Sequence, residues 1–120
     1  MTKEQNQKQP PGGPEDAREL LKNQCDGEPC IGTGVGYQVV HAACPDPCDP
    51  DRLKVVVERA KASAYREAQA KCTGHELCMC VGDYSELIPA QCVKIDTGGG
   101  REGCLYFTAW AYVGRCRIVI

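Results

Sequence analysis

No C-x-x-C occurs anywhere in this chain, although ten of its 120 residues are cysteine. Thioredoxin-like redox sites, zinc ribbons and the common iron–sulfur runs place two thiolates two residues apart, so none of these is indicated. There is no G-x-S-x-G elbow either, and neither Ser63, in an expected helix, nor Ser85, in an expected loop, has a setting that would activate a hydroxyl. No apolar run approaches the ~18 residues of a membrane span. An excess of charge is missing as well: the formal charge is −2 and the pI about 5.7, which gives no bulk attraction to nucleic acid or an anionic membrane. Large apolar residues are scarce. Leu, Ile, Val and Phe together number 22, with one Phe and one Trp. A core that thin is normally reinforced by covalent bridges or metal.

The reinforcement is visible in the cysteines: Cys25, Cys30, Cys44, Cys48, Cys72, Cys78, Cys80, Cys92, Cys104 and Cys116. The count is even and the set is dispersed over everything after residue 24, which reads as a disulfide framework of up to five bridges. Connectivity stays open, except that Cys78 and Cys80 are too close to pair comfortably with each other. Disulfides imply an oxidising compartment. Met1 to Gln5 contain no apolar signal-peptide region. The simplest expectation is therefore a mature extracytoplasmic protein (periplasmic, cell-surface or secreted) with its signal removed. The alternative is an intracellular cysteine-rich zinc-binding protein. Cys72, His75, Cys78 and Cys80 have the content of a ligand set, but a C-x-C pair crowds a tetrahedral centre, so no metal and no cofactor is expected.

Residues 1–24 read as a flexible N-terminal tail or tether, rich in Gln, Pro and Gly, with at most a helical turn or two over 15–23. Residues 25–120 form one domain. Residues 31–43 read as a strand. Its Gly32, Gly34 and Gly36 lack the continuation of a phosphate loop; alternating on one face, they admit a close neighbour. Asp49 is an N-cap with Pro50 at the first helical position, and the helix runs to about Cys72, ended by Thr73-Gly74. Leu53, Val57, Ala60, Ala64 and Ala68, with Val56 beside them, form its buried stripe. Further strands are expected at 92–96, 104–113 and 115–120, with 78–81 a short strand or loop, 82–89 a loop or edge element, 97–103 a hairpin loop and Gly114 a turn. The fold class expected is α+β: a small antiparallel sheet of about four strands with one main helix on one face, disulfide-stapled.

Strand 104–113 has two unlike faces. Leu105, Phe107, Ala109, Ala111 and Val113 form a smooth side suited to the alanine-rich helix. Tyr106, Trp110 and Tyr112 then lie on the open side, bordered by Arg115 and Arg117. These five are the candidate ligand-binding residues, because rings on an exposed sheet stack on flat partners. The partner classes implied are an envelope protein, an extended peptide or a glycan, and not nucleic acid. With ten cysteines, none singled out by a neighbouring histidine, and acids confined to turns, no catalytic constellation emerges. The function expected is a non-catalytic binding or structural module.

Overall fold

The computed structural model describes Cys25, residues 27–72 and residues 76–119. The tether expected over 1–24, the Thr73-Gly74 helix stop and His75 lie outside the described residues. Four elements follow in order: β1 (Pro29–Val40), α1 (Pro50–Gln69), β2 (Cys78–Asp96) and β3 (Glu102–Ile118). The sheet is antiparallel, with β3 in the centre and β1 and β2 at its edges. The α+β class holds, but the sheet has three strands, not about four.

The difference has a local cause. Gly82, expected to open a loop or edge element, and Gly114, expected to mark a turn, sit opposite each other in the β2–β3 register. A Cβ on Gly82 would overlap the Val113 carbonyl, and one on Gly114 the Val81 carbonyl. Both glycines permit close strand approach rather than ending strands. Segments 78–81 and 92–96 thus join into one strand through a bulged stretch between Glu86 and Gln91, and segments 104–113 and 115–118 join into another. Three consecutive glycines, Gly98, Gly99 and Gly100, all have positive φ and make the tight β2–β3 turn. There the Thr97 N–H bonds the Arg101 carbonyl.

Helix α1 begins as its sequence indicates. The Asp49 side chain accepts the Asp51 N–H, and Pro50 follows in the first turn. The helix ends at Gln69, slightly earlier than expected. Val56, Ala60, Ala64 and Ala68 are fully buried. They lie on β1, where a Cβ on Gly32, Gly34 or Gly36 would collide with the carbonyl of Ala64, Ala60 or Val56. Helix backbone therefore rests on strand backbone, and alternating glycines make that contact possible.

Five disulfides join Cys25–Cys78, Cys30–Cys80, Cys44–Cys104, Cys48–Cys92 and Cys72–Cys116, with Cα separations of 4.9–6.0 Å. No cysteine is free. Three bridges cluster beyond the C-terminal end of α1 and two beside its N-terminal end. Among the described residues, fifteen hydrophobic residues are fully buried: seven half-cystines, five alanines, Tyr106, Tyr112 and Val56. Val56 is thus the one aliphatic side chain larger than alanine in that set. Half-cystines, the helix alanines, Val56 and the two tyrosines fill the space between helix and sheet.

Candidate functional site

The two faces of β3 are the reverse of the sequence expectation. Gly32, Gly34, Gly36 and Gln38 stand opposite Tyr112, Trp110, Thr108 and Tyr106 in the β1–β3 register, so these β3 residues share the helix side of the sheet. The reason is where the helix rests. Its alanine stripe sits on the bare backbone of β1, and beside it the gap over β3 takes large side chains. Tyr106 and Tyr112 fill that gap, only 1% and 8% exposed.

Each ring is also tied by its polar tip, as buried tyrosines usually are. The Tyr106 hydroxyl accepts the Asp49 N–H at 3.0 Å, next to the helix N-terminus. The Tyr112 hydroxyl accepts the Gly82 N–H at 2.8 Å and donates to the Cys80 carbonyl at 3.3 Å. Tyr112 also meets Tyr65 and Tyr84 edge-on, at 5.1 and 4.9 Å between centroids. Burial and these neighbouring tyrosines push the Tyr84 pKa above its ordinary value. Trp110 is half-buried. Its Nε1–H donates to Thr108, and the Lys61 ammonium lies 4.6 Å from its ring centroid. Arg115 and Arg117 are exposed on the other face of β3, where Arg115 donates to the Gly27 carbonyl. The five residues proposed from sequence are therefore not brought together. Two rings are core, one is half-covered by α1, and the two arginines lie across the sheet.

What lies open is the aliphatic side. Five cross-strand rows run along it: Ile31–Val113–Asp83, Thr33–Ala111–Ser85, Val35–Ala109–Ile88, Tyr37–Phe107–Gln91 and Val39–Leu105–Val93. Tyr37 and Val35 are each 63% exposed, Ile31 and Val113 each 47%. Asp83 is the single charged side chain in the five rows. The two outer strands carry the larger side chains at the Val35–Ala109–Ile88 row, and Ala109 and Ala111 line the centre. No described element covers this surface. Its sequence signal was present: with glycines on one side of β1, every large side chain of Ile31 to Tyr37 must project from the other.

The outer edge of β1 is treated differently. Side chains from α1 and just beyond it reach over the strand and take its backbone groups. Glu67 accepts the Thr33 N–H at 2.5 Å, Lys71 donates to the Ile31 carbonyl at 2.8 Å, and Arg59 donates to the Tyr37 carbonyl at 3.1 Å. The Thr33 N–H holds the Glu67 carboxyl below the usual glutamate range, with Thr33 Oγ1 and Lys71 adding to the effect. Charged caps of this kind block strand addition at an edge.

In each of two groups, Cys30–Cys72–Cys116 and Cys44–Cys92–Cys104, the sulfurs lie within 4.8 Å of one another. They belong to neighbouring disulfides, and oxidised sulfur does not supply the thiolates zinc needs. His41 is exposed just past the end of β1. A shallow pocket at the β2–β3 turn is lined by Lys94, Asp96, Arg101 and Glu102, with Lys94 and Glu102 paired across it at 4.0 Å. Opposite charges meet there, so it selects no ligand of one sign. No helix among the described residues is long and apolar enough to cross a membrane. Compared with family models, curated proteins and solved structures, the chain matches none.

Proposed function

We propose that this protein is an extracytoplasmic, non-catalytic interaction module whose working surface is the open face of the sheet. One observation carries the reading: the large aliphatic side chains are spent on an exposed face while the core is built from disulfides and alanines. Contiguous apolar patches of several hundred Å² on a soluble domain mark interaction sites. An isolated two-layer domain gains nothing from displaying Ile31, Val35, Tyr37 and Val113. The five bridges support the compartment, because structural disulfides of this density belong to oxidising environments. The non-catalytic reading is supported by the cysteines, whose sulfurs are all committed to bridges. The β2–β3 turn pocket is shallow and lined by charges of both signs, Lys94 and Glu102 meeting across it.

The test is binding of an apolar fluorescent dye to dilute oxidised protein. Dye binding that is abolished by Val35→Glu or Tyr37→Glu, with the disulfides intact, is the expected result. Binding unaffected by both substitutions would remove the face as the working surface. Intact mass under denaturing, non-reducing conditions checks the compartment: the protein from its natural source should resist alkylation at every cysteine.

A further inference from the structure

The open face has a sequence counterpart in the central strand. From Cys104 to Val113, β3 reads Cys-Leu-Tyr-Phe-Thr-Ala-Trp-Ala-Tyr-Val, with Thr108 as the only small polar residue. A continuous apolar run of this length is the pattern of a strand covered on both sides, not of one with a wet face. Helix α1 covers one side. A second layer is required on the other, and packed layers around a shared core are how sheets normally bury such faces.

From this we infer that the second layer is another copy of the same chain, the two sheets packing face to face into a helix–sheet–sheet–helix dimer. The inference rests on the open face being the working surface and names its partner. Three observations select a second copy. The first is area. Ile31, Val35, Tyr37, Ile88, Val93 and Val113 are each 39–63% exposed. Side chains of this size expose on the order of 600 Å² in such a patch, near the about 800 Å² per partner of a standard stable interface. The second is charge. Asp83 alone is charged in the five rows, and Arg115 and Arg117, on the same side of β3, lie beyond them toward the strand's end, so the rows themselves offer nothing to orient a charged partner, whereas an identical apolar face matches them. The third is the edge. Glu67, Lys71 and Arg59 occupy backbone groups on the outer side of β1. Copies joining there by strand addition would have to displace them, and the face itself carries no such obstacle. Sheets that pack this way lie about 10 Å apart with inner side chains interdigitated.

The experiment is light scattering coupled to size exclusion, with the oxidised full chain, over a concentration range. The variants are Val35→Glu, Tyr37→Glu and, as a control, Val55→Glu, which alters an exposed valine of α1 away from the face. The expected wild-type mass is twice 13.0 kDa. Both face variants should run at the single mass with all bridges intact, and the control should remain double. A dimer that survives Val35→Glu and Tyr37→Glu would overturn the proposal. So would a wild-type monomer at every concentration. If that monomer binds apolar dye through Val35 and Tyr37, the working surface stands and only its partner is wrong. If it binds none, both readings fall.

Discussion

Gly34 lies directly beneath Ala60, so close that a Cβ on the glycine would overlap the alanine's carbonyl oxygen. The neighbouring glycines repeat the contact beneath Ala64 and Val56. Helix and strand meet backbone to backbone, where neither partner can rotate away. Gly34→Ala should therefore cost roughly 1–3 kcal/mol or more through overpacking, and Ala64→Leu a similar amount. Val35→Ala, one residue along but on the open face, should be nearly neutral in the isolated chain. Denaturant midpoints measure all three. Equal tolerance at positions 34 and 35 would show that the helix lies elsewhere.

A core of half-cystines and alanines makes oxidation the main source of stability. Each bridge closes a span of 44 to 60 residues. Each typically contributes about 2–4 kcal/mol, against a small domain's total margin of about 5–15. Full reduction should leave the chain largely unfolded near 37 °C. A thermal melt by circular dichroism with and without strong reductant checks this, and superimposable curves would contradict it.

The Glu67 cap gives a pH signature. Its folded-state pKa is lowered, chiefly by the Thr33 N–H. Such a group contributes stability above its unfolded pKa and loses it as pH falls through the lower, folded value. The Thr33 amide resonance should titrate with a midpoint below the ordinary glutamate range. In Glu67→Gln that transition should disappear. A midpoint at or above the ordinary range would mean the cap is not formed.

Tyr112→Phe removes the acceptor of the Gly82 N–H and the donor to the Cys80 carbonyl. A buried N–H left unpaired costs about 1–3 kcal/mol. The loss should be visible in urea denaturation, and hydrogen exchange at Gly82 should accelerate. Unchanged exchange would place the hydroxyl outside the sheet.

Lys61 tests the placement of Trp110. With its ammonium 4.6 Å from the indole centroid and 5.1 Å from that of Tyr84, Lys61→Ala should make the tryptophan more accessible to acrylamide. It should cost about 0.5–1 kcal/mol. Unaltered quenching would separate Trp110 from the helix.

The helix start was legible because Asp49 and Pro50 are local signals, independent of what packs above them. The disulfide framework was legible from an even, dispersed cysteine set, but its pairing was not, since loop closure depends on register. The reversed faces have a simple physical origin. Alternation separates Leu105 from Tyr106 without saying which meets the helix. A small alanine stripe suggests a smooth partner surface, and Leu105 to Val113 offered one. The smoother surface was β1, where glycines present no side chain at all. With the helix there, rings rather than aliphatics suited the gap over β3. Gly82 and Gly114 misled for a related reason: each reads as a break in its own segment, and only their mutual register explains both.

In the proposed assembly the Ile31–Val39 and Leu105–Val113 side of the sheet is the working surface and a second copy covers it. Hydroxyl-radical footprinting by mass spectrometry, run across a dilution series, tests it most directly. Tyr37 should react strongly in dilute protein and become protected as concentration rises, while Tyr106 stays protected throughout. Tyr37 reactivity independent of concentration, or protection arising instead at Trp110 and the exposed side of the helix, would contradict the account.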